Sequence, residues 1–166
     1  MISSTIKYKI LAFRAVDEPD LCSQYAHGHA LTLNNLGLKN VTSINSKWIY
    51  NPNVYCVVIK SLLTEEILGG IRIQLFDGVN PLPMETALGE MDTRILSFLE
   101  SHALNGGIGE LHGLWVSKKI GGIGMGPYLT RACVASCYQL NFKTATGICA
   151  DYSLQMFNNV GFTFDK

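Results

Sequence analysis

Apolar positions in this chain fall into short dense runs, separated by longer segments in which they recur at helical intervals. Dense runs read as buried strands and the intervening segments as helices laid on them. Tyr8 to Val16 (YKILAFRAV) predicts a first strand. Acids and a proline at Asp17 to Asp20 predict a helix start, with the helix over Leu21 to Leu36 and its end at Gly37. Trp48 to Pro52 reads as a loop or short turn leading into the next strand. Val54 to Leu63 and Ile67 to Phe76 read as two strands joined by Thr64-Glu65-Glu66, an antiparallel hairpin. Asp77 to Pro83 is a loop. Met84 to Asn105 reads as one or two helices, clearest over Met91 to Leu104, with an apolar stripe of Ile95, Leu96, Leu99 and Leu104.

The centre of the pattern lies further on. Glu110 to Val116 (ELHGLWV) is a short apolar run bounded by glycines and predicts a buried strand. Gly113 inside it marks a bulge or a close backbone approach. PYLTRACVASCYQL, from Pro127 to Leu140, is apolar almost all round and predicts a buried helix with Pro127 as its first residue. Between them lies GGIGMG, Gly121 to Gly126, with four glycines in six residues. Strand, glycine turn and helix start together form an anion site, because N–H groups can converge there with no Cβ in the way. The Walker pattern fails here, since the turn ends Gly-Pro-Tyr, and both registers of the dinucleotide pattern fail at Pro127 or Leu129. A turn that merely reverses the chain remains the bland alternative. After this helix, Lys143 to Ala150 predicts a fifth strand. Asp151 is placed to cap a short helix over Tyr152 to Val160, and Gly161 suits its C-terminal end.

This stretch resembles motif A of the GNAT superfamily of N-acyltransferases. Gly124 and Gly126 occupy its glycine places and Leu129 its aliphatic place, while Gly121 stands where glutamine or arginine is usual. Lys118 and Lys119 are nearby sources of positive charge. The ending MFNNVGF resembles motif B, with Phe157 in place of the usual tyrosine. The resemblance covers the last third of the chain in motifs and the rest in order of elements. It implies one domain over residues 1–166, an α/β fold with a mixed central sheet and helices on both faces. The elements read here stop before the sixth and seventh strands usual in that fold, which implies either a shortened fold or an edge supplied by a partner or another element. It implies acyl transfer from acyl-CoA, acetyl-CoA first, to a primary amine of a small molecule or peptide, with no metal. The backbone of Leu114, Trp115 and Val116 would hold pantetheine and carbonyl. Gly121, Gly122, Ile123, Gly124, Met125 and Gly126 would hold the pyrophosphate, and Phe157 would border the same cofactor. Glu110 is the candidate base, at the distance before motif A where some members carry a glutamate. His112, two residues on and hence on the same strand face, shares or replaces that role, or is structural. With Phe157 lacking a hydroxyl, Tyr152, Ser153 or water is left as general acid. The segment from Asp77 to Asn105 is longer than in compact acetyltransferases. It resembles the acyl-homoserine-lactone and N-acyl amino acid synthases, which keeps open a longer acyl chain on an acyl carrier protein. A non-catalytic acyl-CoA-binding module is a further alternative.

Composition narrows the classes. Of 166 residues, 48% are hydrophobic and 16% charged, enough apolar content for one globular core. The formal net charge is zero, so no basic field favours nucleic acid. Five cysteines lack metal-site or disulfide-framework spacing, which suits a cytoplasmic location, and Cys133 and Cys137 read as small apolar residues. No run approaches the ~20 apolar residues of a membrane span. His27 and His29 lie on different helix faces and read as structural. A homodimer is left open.

Overall fold

The computed structural model describes residues 7–38 and 46–164. Five strands form one sheet in the order β1 (Tyr8–Arg14), β2 (Val54–Ser61), β3 (Ile67–Leu75), β4 (Ile108–Val116) and β5 (Thr144–Thr146). Neighbours from β1 to β4 are antiparallel and β5 runs parallel to β4, so the sheet is mixed. The helices are α1 (Pro19–Asn35), α2 (Pro83–Leu88), α3 (Arg94–Leu104), α4 (Met125–Gln139) and α5 (Leu154–Asn158). None is long and apolar enough to cross a membrane among the described residues.

Strand periodicity divides the core between two faces. Val57 and Ile59 of β2 join Ile71, Ile73 and Leu111 under α4, which contributes Met125, Leu129 and Cys133 at helical spacing. Cys56 and Val58 point the other way and pack with Cys22, Tyr25 and Trp115 under α1. A third cluster joins α2 and α3 to the start of β4 through Leu82, Leu99 and Ile108. α1 is drawn close to the sheet by glycine. A Cβ on Gly28 would lie 2.2 Å from Cη2 of Trp115, and one on Gly70 would lie 2.8 Å from the Tyr25 ring. Gly28 thus accepts the cost of glycine in a helix, about 1 kcal/mol, in exchange for seating Trp115.

Several expectations need correction. α4 starts two residues earlier than expected, so Pro127 is its third residue, still inside the turn whose N–H groups need no helical partner. α4 is not buried all round: Tyr128 and Tyr138 face solvent. In α3 the inward stripe is Ile95, Leu99 and Ala103, while Leu96 and Leu104 are exposed. β5 ends at Thr146 instead of continuing to Ala150, Asp151 makes no side-chain cap, and α5 is shorter than expected. Lys47–Tyr50 forms a 3-10 turn, a short turn of the kind expected there but starting one residue earlier.

Candidate active site

β4 organises the site through an irregularity in its pairing with β3. Arg72 pairs with His112 and Gly70 with Trp115, so Gly113 and Leu114 together face Ile71. This is the bulge expected at Gly113, whose φ of 67° is the left-handed conformation that glycine tolerates. The Tyr25 hydroxyl donates to the Gly113 carbonyl, and a Cβ at Gly113 would collide with that hydroxyl. α1 is thereby tied to the bulge.

On the other side of β4, pairing with β5 stops at Glu110 and Thr146. Gly147 follows with so close an approach that a Cβ there would lie 2.5 Å from the Leu111 carbonyl. Beyond this point the chain leaves the sheet, and a cavity of about 160 Å³ opens between β4 and the segment leading to α5. Leu111, Gly113, Leu114, His29, Tyr152 and Phe157 are among its walls. Phe157 makes an edge contact with Phe162 at 5.5 Å. The Ser153 hydroxyl is occupied by the Ala150 carbonyl at 2.7 Å.

A second cavity, of about 280 Å³, lies on the α1 face of the sheet. Its floor holds Arg72, Gln74 and His112, and its rim holds Lys47, Trp48 and Asn80. His112 is in the wall of both cavities. The Arg72 guanidinium is 1% exposed, stacks 4.1 Å from the Trp48 ring centroid, and places Nη2 3.3 Å from His112 Nδ1. Burial lowers the Arg72 pKa. Arginine can only donate, so Nδ1 accepts and a neutral His112 carries its proton on Nε2. Burial, then the Arg72 charge, then His29 hold His112 well below the ordinary histidine range. Nε2 is buried with no protein partner among the described residues. His29 is similarly held neutral, at about 4, by burial and by Arg72.

Glu110 lies on the same strand face as His112, opposite Gln74, and is 1% exposed. It lines neither cavity. Its Oε2 accepts the Met84 N–H at 2.9 Å, beneath Pro83 at the edge of the larger cavity. Burial raises its pKa to about 7, against the lowering effect of that hydrogen bond. The sequence therefore brought Glu110 and His112 to one face, but only His112 faces open space.

The glycine turn follows a 3-10 turn at Lys118–Ile120. Gly122 and Gly124 have φ of 80° and 78°, and among the described residues no atom beyond their chain neighbours lies within 4 Å of where their Cβ atoms would be. The turn is an open cradle at the head of α4. Ile123 is half exposed there and Met125 is buried as the first residue of the helix. Lys119 does not face this cradle freely, since its Nζ is bonded to Glu66 at 2.7 Å. Trp115 places its ring in the α1 core, while Val116 pairs with Gly69. Arg72, Gln74, Trp48 and Lys47 were not singled out in the sequence. The available signal was Arg and Gln at alternate positions in ILGGIRIQLF, polar residues on one face of an otherwise apolar strand.

No family model matches the chain, and no curated protein matches it by sequence. Solved structures do match. A GCN5-related N-acetyltransferase from Ralstonia eutropha is similar over 96% of this chain and 94% of its own, at 14% identity and a TM-score of 0.61. A predicted acetyltransferase with acetyl-CoA from Clostridium acetobutylicum is similar over 96% and 92%, at 11% identity and 0.62. An N-acyl amino acid synthase from uncultured soil microbes is similar over 96% and 80%, at 13% identity and 0.70.

Proposed function

We propose that this chain, which has the GNAT N-acyltransferase fold, transfers a short acyl group from acyl-CoA to a primary amine. The observation that carries the reading is that His112 is in the wall of two cavities, one in the gap between β4 and β5 and one on the α1 face. A thioester entering the gap and an amine entering from the opposite face would meet there at short range, which is the positioning that acyl transfer needs.

In this reading the pyrophosphate lies on the N–H groups of Gly122 to Gly126, supported by the left-handed glycines and the positive end of the 15-residue α4. The backbone at Leu114 to Val116, freed from β5, holds the pantetheine arm. The amine nitrogen attacks the thioester carbon; a C–N bond forms, the C–S bond breaks and the thiolate leaves. Glu110, near 7, takes the ammonium proton through a water, since it lies one layer behind the cavity floor. His112 offers its Nε2–H to the oxygen that becomes negative. The thiolate takes a proton from Tyr152 or water, Phe157 having none to give. Acetyl is favoured over long chains because α3 lines neither cavity and its inward side chains are packed against Leu82 and Ile108.

Native mass spectrometry of the purified protein tests the reading. A one-to-one adduct with acetyl-CoA, co-purified or formed on addition, is expected. Retention of an acyl carrier protein with a long chain would favour the synthase alternative, and absence of any adduct at millimolar acyl-CoA would remove the reading.

A further inference from the structure

Tyr25 is completely buried, yet its hydroxyl reaches the strand that carries the site. It belongs to the inward stripe of α1, where Cys22, Tyr25 and His29 recur at helical spacing and are all buried. Its ring has little freedom. It meets Trp48 edge-on at 5.8 Å between centroids and Trp115 at 6.1 Å, and a Cβ on Gly70 would lie 2.8 Å from it. Held in this way, the hydroxyl donates to the Gly113 carbonyl at the bulge. Arg72 shares a hydrogen bond with the same hydroxyl. Arginine can only donate, so the oxygen accepts from Arg72 while its proton goes to Gly113. Burial raises the pKa of the phenol, which keeps that proton in place. Arg72 Nη2 is in turn 3.3 Å from His112 Nδ1. One hydroxyl is therefore connected both to the bulge and, through Arg72, to His112.

We infer that Tyr25 is a positioning residue for acyl transfer: its hydroxyl fixes the Gly113–Leu114 peptide plane, and through Arg72 the His112 ring, beside the gap at β4. This rests on the acyl-transfer reading above. A trans peptide is planar, with its C=O and N–H on opposite sides. A Gly113 carbonyl tied toward Tyr25 therefore turns the Leu114 N–H away from Tyr25. Leu114 begins the backbone stretch that receives the pantetheine arm in that reading, and Gly113, Leu114 and His112 are all in the wall of the smaller cavity. The plane needs a tie of this kind. Two residues of β4 face one of β3 at the bulge, so the ladder alone does not fix it, and a glycine offers no Cβ to restrict it. Rotation of the plane would move the thioester relative to His112 while leaving the glycine turn untouched. Acyl transfer is sensitive to displacements on the order of 1 Å.

Tyr25→Phe tests this, because it removes one oxygen and keeps the ring. The probe is acetyl-CoA labelled with ¹³C at the thioester carbonyl, followed by NMR, with affinity measured by calorimetry. A hydrogen bond polarises a carbonyl and displaces its resonance. Acetyl-CoA bound to the wild type is expected to show a displaced carbonyl resonance. In Tyr25→Phe more than half of that displacement is expected to be lost, with Kd changed less than about threefold. Cys22→Ala loosens the same stripe one turn earlier, where the thiol faces Ala15 and Cys56, and is expected to keep the wild-type resonance. If Tyr25→Phe does not fold, 4-fluorophenylalanine and 4-aminophenylalanine introduced at Tyr25 replace it. Both fill the space of the hydroxyl, and only the amino form can donate, so only the amino form is expected to keep the displacement. A wild-type resonance in Tyr25→Phe, or an equal loss in Cys22→Ala, would overturn the inference. So would bound acetyl-CoA with an undisplaced carbonyl in the wild type, an outcome that leaves donor binding standing. Failure of the folded wild type to bind acetyl-CoA would instead remove the acyl-transfer reading.

Discussion

Replacing Glu110 by Gln separates two consequences of burying this carboxyl. Glu110 is 1% exposed, and burial raises its pKa from an ordinary 4.5 to about 7. At about 1.4 kcal/mol per pH unit, the ionised form costs the fold about 3 kcal/mol relative to the unfolded chain. Between pH 4.5 and 7 the folded state keeps a proton that the unfolded state has lost. Stability from this group therefore falls as pH rises through that window and stays low above it. Glutamine has nearly the same shape, can still accept the Met84 N–H and never ionises. Glu110→Gln is expected to change stability little near about pH 5 and to stabilise by up to about 3 kcal/mol near about pH 8.5. Urea unfolding of both proteins at the two pH values reads this directly. The rate should move the opposite way. A kcat lowered by about 100-fold is expected, with loss of the limb that rises through neutral pH. A stability difference that is the same at both pH values would refute the burial argument. A full rate with an unaltered pH profile would remove Glu110 as the base.

Gly28→Ala is expected to lower stability by about 1–2 kcal/mol despite its better helix propensity, because the new Cβ meets the Trp115 ring; a raised melting temperature would contradict this packing. His29 is held neutral down to about 4 by burial. Between an unfolded value near 6.5 and that value, the unfolded chain takes up a proton the folded one refuses. This group therefore costs about 1.4 kcal/mol of stability per pH unit on acidification, and His29→Gln should flatten the acid limb of stability. In a series of acyl-CoAs from acetyl upward, affinity is expected to stay flat or fall beyond propionyl. Steady tightening near about 0.8 kcal/mol per CH₂ would show a tunnel that the packing of α3 denies.

What was legible in the sequence was legible for local reasons. The hairpin of β2 and β3 and the strand, turn and helix from Glu110 to Gln139 announce themselves through apolar runs and glycines. Gly113 marked its bulge because a glycine inside an apolar strand needs a backbone reason. The helix stripe of α3 was misjudged because Leu96 and Leu104 are as apolar as Leu99, and only the sheet decides which side turns inward. Glu110 was placed on the right face, but its partner, the Met84 N–H, comes from a helix 26 residues earlier, a contact no local pattern carries. Arg72 was overlooked because its significance comes from lying beside His112 in the register and beneath Trp48, both long-range facts.

Whether the glycine turn holds the pyrophosphate of an acyl-CoA is read by calorimetric titration of acetyl-CoA into the wild-type protein and Gly124→Val. Gly124 is exposed, open on all sides and left-handed, so valine there strains the turn by about 1–2 kcal/mol without touching the core. One-to-one binding by the wild type, abolished in a variant that keeps its cooperative unfolding transition, is expected. Equal affinity in the two proteins, or no binding by the folded wild type, would rule out the glycine turn as the pyrophosphate site.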